Sequence, residues 1–440
     1  MLKVGFSRLD ITPPFGTPLA GYFTARQVDG VLDPIELNAI AVNDGENTAV
    51  IIAADILYFH ESAATKLRKL VSEATGVNEE FLYFQGLHQH TSIMMGVKPA
   101  LSAEDHHSYI KDEHYLDIFN RRMIDVTKMA IADMSEATVG VAEGETAEEI
   151  SFVRRFLLND GTTATNPGRR KNMVVRPLGE SDNTVRLIRF NREGKNDIAL
   201  VNFSTHPDTI GGTKISADWP GFVRRYTEKA LDGVSCILLN GAQGDTNHVN
   251  IKSEEVQSGY HRAEHMGRVI TDTVLKLWDN TTPKKAGKIT SSVEMIYIPT
   301  NTTYIDEIDR FKKLDEDVKA GVVEKPDMAG RAEIIRVLRL PSETLFQKVA
   351  VSVLGVGELA FVGFGGEPFT QYAEAARNSA PDLYVITTCC TNGGAGYLPT
   401  TEAYAEGGYE ARSSNFSSIV AETLQSNVDK KLKAHQQTVK

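Results

Sequence analysis

The chain has 440 residues, 41% hydrophobic and 24% charged, the balance of a soluble globular protein with a substantial core. That length fits one large α/β domain or two ordinary ones. A net charge of -11 without any basic block excludes a nucleic-acid-binding role and a polybasic dock on anionic membranes, though not an amphiphilic substrate held in an apolar cleft.

No stretch approaches the roughly 20 apolar residues of a spanning helix, so no transmembrane segment is expected. The N-terminus, Met1 to Ser7, shows neither a long apolar segment nor a small-residue cleavage site, so no signal peptide is expected. Cys236, Cys389 and Cys390 are too few for a disulfide framework. Together these features point to the cytoplasm, although a mature secreted form would read the same way.

In chain order, Thr48 to Ile56 is an apolar, β-branched run that predicts a strand. A helix from about His60 to Ala74 follows, then the strand Phe81-Leu82-Tyr83-Phe84 that runs out at His88-Gln89-His90. A second unit begins with the strand Ile198 to Ser204 and continues through His206-Pro207-Asp208. Its helix, near Trp219–Leu231, opens on Asp218 as N-cap with Pro220 close behind, and its closing strand is Ser235–Leu239. Tyr304–Gly321 and Met328–Leu340 predict solvated helices, a helical insertion near residues 300–342 that covers one face of the sheet. The third unit is a hairpin, Lys348–Leu354 and Glu358–Phe364, then a helix from Pro368 to Asn378 and a strand over Leu383–Thr388. No Pro/Ser/Gly-rich linker divides the chain. The expected architecture is therefore α/β, a single domain over 1–440 with a mixed sheet layered with helices and the site at the C-terminal ends of its strands.

Three strand ends carry metal-liganding residue types: His88 with His90, His206, and Glu367 in Gly366-Glu367-Pro368. Two histidines and a carboxylate from separate strands match a catalytic zinc centre. His88 and His90 share one side of an extended segment. One binds metal while the other acts as base, or both bind, or both are merely bonded to backbone. Taken singly, His206 reads as structural and Glu367 as a helix cap; it is their convergence that points to a metal. Asp208 is placed to orient an imidazole, and Gly241–Asn247 to offer backbone N–H groups to an oxyanion. Arg154-Arg155 reads as structural ion pairing or as a polariser of a carbonyl. Asp105, His106, His107 and His114 read as surface, as do His261 and His265 on a helix face.

Read in order, Asp10-Ile11-Thr12 with Gly21-Tyr22, then His88-Gln89-His90, His206-Pro207, Gly366-Glu367-Pro368, and Tyr397 with Tyr409 twelve positions on, resemble the catalytic domain of the neutral (non-lysosomal) ceramidases and their bacterial relatives. The resemblance implies Zn²⁺ held by His88, His206, Glu367 and Tyr397. It also implies a catalytic or ligand-supporting His90, with Arg154 and Tyr409 on the substrate carbonyl oxygen. Two departures stand out inside the site. Where the ceramidases read Gly-Asp-Val-Ser-Pro-Asn this chain reads Gly244-Asp245-Thr246-Asn247-His248, so Asn247 replaces the serine, and Val153 replaces an asparagine. No counterpart of the family's immunoglobulin-like C-terminal domain is expected either.

The expected function is a zinc-dependent hydrolase cleaving an amide (N-acyl) bond by metal-activated water, with His90 moving the proton, Arg154 and Tyr409 stabilising the oxyanion, and Asn247 in the serine's place. The alternatives are a metal-dependent esterase, lactonase or sugar-amide hydrolase on a small polar substrate, and a non-catalytic binding protein of the same fold. The partner in the first two cases is a small-molecule amide or ester.

Overall fold

The structure is a computed structural model and describes residues 1–96, 110–340 and 344–439. Strands β1 (Lys3–Asp10), β2 (Glu36–Asn43), β3 (Thr48–Ala54), β4 (Leu82–Gly86), β5 (Ser135–Glu145), β6 (Thr184–Arg192), β7 (Asp197–Phe203) and β8 (Val234–Asn240) form a mixed sheet in the order β8-β7-β6-β5-β1-β2-β3-β4. The short strand Thr282–Lys284 adds to β5. A second sheet holds β9 (Ile289–Pro299), β10 (Phe346–Val356), β11 (Leu359–Phe364) and β12 (Tyr384–Thr388) in chain order. The helices are α1 (Glu61–Thr75), α2 (Glu113–Ala132), α3 (Asp218–Ala230), α4 (Tyr260–Trp278), α5 (Ile308–Lys319), α6 (Met328–Arg339), α7 (Thr370–Ser379), α8 (Thr401–Glu406), α9 (Tyr409–Ser413) and α10 (Val420–Val439).

Most neighbouring strands are antiparallel, but β3/β4, β7/β8 and β11/β12 are parallel. A parallel pair needs a crossover, and α1, α3 and α7 supply them. These are the three units expected from the apolar periodicity. β3 is buried at every residue after Thr48, as a parallel strand covered on both faces should be.

The two sheets pack face to face. Ile51, Tyr83, Leu200 and Val201 of the large sheet share one apolar core with Leu354, Phe361 and Ile386 of the small one. Polar bonds pin the same interface: Tyr83 Oη lies 2.5 Å from Thr388 Oγ1, and Asn202 Nδ2 donates to Thr387 O at 3.2 Å. Helices α1 and α2 cover the far side of β2, β3 and β4, α3 and α4 pack on β5, β6 and β8, and α7 and α10 cover the small sheet. The fold is thus a mixed α/β architecture, with the third unit in a sheet of its own.

The helical insertion differs from expectation. Helices α5 and α6 form a small core of their own from Phe311, Ile334 and Val337, too little apolar surface to cover a sheet face. Helix α6 instead packs on α9: Arg412 Nη2 meets Glu333 Oε2 at 2.5 Å, and Arg336 Nε donates to Arg412 O at 2.9 Å. Its Arg331 lies over the Phe23 ring at 4.7 Å.

Asp218 also departs from the expected N-cap. Ala217 holds that position, while Asp218, at φ 50°, accepts from Trp219 N at 2.6 Å and Ile210 N at 2.9 Å.

Candidate metal centre

The C-terminal ends of the three parallel pairs converge on one point. Just beyond β4, His88 turns into the left-handed region at φ 77° while its N–H donates to Ile56 O at 2.9 Å. Its Nδ1 lies 3.2 Å from Leu57 O, which aims Nε2 inward to 3.2 Å from Glu367 Oε2. His206, beyond β7, is oriented the same way: Nδ1 sits 3.0 Å from Gln243 O and Nε2 lies 3.4 Å from the same carboxylate oxygen. A backbone carbonyl behind each imidazole fixes its tautomer, the arrangement that prepares a histidine to bind metal through the other nitrogen.

Glu367 stands three residues ahead of α7 and does not cap it. Thr370 N is taken instead by Asp245 Oδ1 at 2.8 Å, which leaves the Glu367 carboxylate to the histidines. Gly244 allows this approach, since a Cβ there would stand 2.4 Å from Glu367 O.

His90 completes a buried group in which one ligand atom each of His88, His90 and His206 lie within 4.8 Å of one another. Its ring packs 5.3 Å from Tyr22 and 5.5 Å from His206, and its carbonyl is held by Arg26 Nη2 at 2.7 Å.

The electrostatics suit a cation. Burial, with the neighbouring His88 next, lowers the His90 pKa to about 3, and burial with Arg154 lowers His206 well below the usual range. Burial alone would raise Glu367, but His88 and His206 hold it down to about 2. Near neutral pH His90 and His206 are therefore deprotonated and Glu367 is a carboxylate. Among the described residues, both ring nitrogens of His90, Nε2 of His206 and Oε2 of Glu367 are buried without a hydrogen-bond partner. Orphaned polar atoms that converge on one point fit a bound metal, and an N/O donor set suits Zn²⁺.

Tyr397 stacks on His206 at 6.3 Å, and Tyr409, at the start of α9, packs 5.4 Å from Tyr397. Arg154 lies over the Tyr397 ring at 5.2 Å. It is buried, with Nε on Glu410 Oε1 at 2.7 Å and Nη2 donating to Gly244 O at 2.8 Å. Arg154 is thus both ion-paired and beside the tyrosines. Arg155 pairs with Glu406 Oε2 at 3.1 Å and, through Nε, with the other Glu410 oxygen at 3.6 Å. Asn247 is buried, with Nδ2 donating to Asn166 Oδ1 at 3.2 Å and Oδ1 accepting from Val249 N at 3.0 Å.

One expectation is corrected. The Gly241–Asn247 loop does not hold a row of free N–H groups: Gly241 N donates to Phe203 O, Gly244 N to Pro368 O and Thr246 N to Gln243 O. It contributes carbonyls instead, those of Gln243 and Gly244. Asp208 does lie beside an imidazole, that of His248 and not of His206: its Oδ1 is 3.1 Å from His248 Nδ1. His261 and His265 are solvent-facing and paired with Glu264 and Glu148. His114 lies in the first turn of α2, whereas Asp105, His106 and His107 fall outside the described residues.

The motifs gave no signal for several supporting groups. Gln89, between the two histidines, donates through Nε2 to Asp55 Oδ1 at 2.8 Å, and Asp55 in turn is gripped by Arg224. Glu410 holds Arg154, and Cys390 Sγ sits 3.4 Å from His88 Nδ1.

The sequence matches no protein-family model and no curated protein. The fold does have solved neighbours. Neutral ceramidase from Pseudomonas aeruginosa superposes with a TM-score of 0.75 at 13% identity, covering 99% of this chain and 75% of that one. A ceramidase complexed with C2 superposes at 0.73 and 13% identity over the same shares of the two chains. The chain has a neutral ceramidase-like fold.

Proposed function

We propose that this chain is a metal-dependent hydrolase of N-acyl amide bonds. The observation that carries the proposal is the meeting of His88 Nε2, His206 Nε2 and Glu367 Oε2 at 3.2–3.4 Å, buried and, among the described residues, without other partners on the His206 and carboxylate atoms. The ceramidase-like fold supports the choice of an amide, and a lipid amide in particular.

In this proposal His88, His206, Glu367 and Tyr397 hold Zn²⁺. Such an ion supplies Lewis-acid polarisation of a carbonyl and acidifies a water molecule towards about neutral pH. His90, neutral by burial, accepts the proton from the attacking water. Arg154 and Tyr409 donate to the carbonyl oxygen as charge develops on it. Asn247 fixes the loop that carries the Gln243 and Gly244 carbonyls.

The test combines elemental analysis with His90→Ala. About one zinc per chain and a variant that keeps its zinc but loses turnover of N-acyl amides are expected. A chain that takes up no divalent metal would refute the proposal, and zinc lost from a folded variant would make His90 a ligand.

A further inference from the structure

We propose that Arg331 binds an anionic oxygen group of the substrate, a carboxylate or a phosphate, so that the amide this chain cleaves carries a negative charge. The inference rests on the hydrolase function above and adds the class of substrate to it. His88, His206 and Glu367 are buried, whereas Tyr397, Tyr409 and Phe23 are half-buried and Tyr22 is exposed, so the centre opens to solvent past these rings. The rings are continuous: Tyr409 packs 5.4 Å from Tyr397, Phe23 packs 6.3 Å from Tyr409, and Arg331 lies over Phe23 at 4.7 Å. A second path ties the first turn of α6 to the same mouth. Asn166 N donates to Arg154 O at 2.7 Å, Asn166 Oδ1 accepts from Asn247 Nδ2, and four residues on Arg170 Nη2 meets Asp327 Oδ2 at 3.5 Å.

Arg331 is half-buried, and among the described residues its guanidinium has no carboxylate and no hydrogen-bond acceptor, only the Phe23 ring. The acids beside it on α6 are committed elsewhere. Asp327 caps Gly330 N and pairs with Arg170, and Glu333 pairs with Arg412. With 58 acidic and 47 basic side chains in the chain, this lack of a partner does not come from a shortage of carboxylates. A guanidinium laid on an aromatic ring is held in place yet keeps the N–H donors at its edge. Two oxygens of a carboxylate or phosphate match that edge and are bound bidentately, whereas a neutral group leaves the donors to water. Phe23 stands between Arg331 and Tyr409, so the charge belongs one ring beyond the carbonyl oxygen and not on the atoms next to the scissile bond. Arg331 is therefore a specificity-determining residue that acts on binding.

The experiment uses N-acyl amides identical except for one terminal group, a carboxylate, a phosphate or a neutral carboxamide. Wild type, Arg331→Gln and Arg331→Lys are compared, with zinc content and thermal unfolding recorded for each. Wild type should favour an anionic compound over the carboxamide by roughly tenfold or more in kcat/KM, chiefly through KM, and added salt should narrow the gap. The anion with the larger ratio identifies the source of the charge. Arg331→Gln should bring the ratio close to one, and Arg331→Lys, a charge without the fork, should keep part of it. Calorimetry with non-cleavable analogues, a methylene replacing the amide nitrogen, gives a readout apart from turnover: tighter binding of the anionic analogue that Arg331→Gln abolishes.

Equal rates and equal binding for charged and neutral compounds overturn the inference and leave the hydrolase standing, as does a preference that persists in folded, zinc-loaded Arg331→Gln. A wild type that cleaves none of the compounds yet binds the anionic analogue through Arg331 overturns the hydrolase and upholds the anion site. One that neither cleaves them nor prefers the anion overturns both.

Discussion

Asp55→Asn tests whether the centre is held from behind by a buried ion pair. Asp55 follows β3 and is fully buried, as is Arg224 of α3. The Arg224 fork reaches its two oxygens at 2.9 and 2.5 Å, and Gln89 Nε2 and Glu36 N donate to them at 2.8 and 2.9 Å. Asparagine keeps the shape but leaves the guanidinium without its carboxylate. Breaking a buried pair from one side costs about 3–5 kcal/mol. Glu36 Oε2 remains 3.3 Å from Arg224 Nη2 but is partly exposed, so its screened charge recovers only part, and the expected cost is about 3 kcal/mol. Because Gln89 sits between His88 and His90, zinc affinity should fall as well, by roughly tenfold, as when a ligand's supporting bond is lost. Urea unfolding followed by tryptophan fluorescence measures the first effect, and chelator competition the second. A cost below about 1 kcal/mol with unchanged zinc affinity would refute the argument, since an uncompensated buried guanidinium cannot be that cheap.

Two further outcomes are expected. Burial raises the Asp245 carboxyl to about 6 against hydrogen bonds from Thr370, so the folded state holds this proton more tightly than the unfolded one. The associated stability is full below the unfolded pKa of about 3.9 and is lost as pH rises through about 6, an amount of up to about 3 kcal/mol. Asp245→Asn should flatten the stability profile across that window, and an unchanged slope in urea titrations at several pH values would count against it. Gly21 has φ 97°, and a Cβ there would lie 2.9 Å from the His90 ring. Gly21→Ala should therefore destabilise the protein by about 1–3 kcal/mol; a variant unfolding at the wild-type urea midpoint would remove Gly21 from contact with His90.

The sequence was most legible where chemistry and periodicity coincide. The apolar runs ending at His88, His206 and Glu367 predict buried parallel strands, and their ends do meet. Glu367 next to a helix start looks like a cap. Only the competing acceptor on Thr370, Asp245 from a segment more than a hundred residues earlier, shows otherwise. Long-range partners of this kind leave no local pattern. The same holds for Asp208, which in sequence is nearest His206 and in space serves His248. The antiparallel strands β1 and β5 carry half-exposed stretches, so their apolar signal is weaker than that of β3 or β7. Backbone carbonyls are invisible to any reading of side chains, yet Leu57 O, Gln243 O and Gly244 O orient two histidines and an arginine.

Those carbonyls also bear on what the centre costs when empty-handed. A buried polar atom without a partner costs about 1–3 kcal/mol, and four such atoms lie on His90, His206 and Glu367. His88 adds a left-handed backbone at φ 77°, a conformation worth about 1–3 kcal/mol of strain. Among the described residues no group offsets these terms locally, and the second nitrogens of His88 and His206 are already committed to carbonyls. A divalent cation satisfies His206 Nε2 and Glu367 Oε2 at once, so folding and metal binding should be linked. At zinc one hundred times above its dissociation constant the folded state gains about 2.7 kcal/mol. Chelator-treated protein should therefore unfold at a lower temperature, and added zinc should restore the transition in a concentration-dependent way. The same titration on Glu367→Gln should give a smaller rise, since the variant keeps the fold but loses the anionic ligand. Melting curves that superimpose with and without zinc would show that His206 Nε2 and Glu367 Oε2 are matched by something other than a metal, and the hydrolytic chemistry would lose its physical basis.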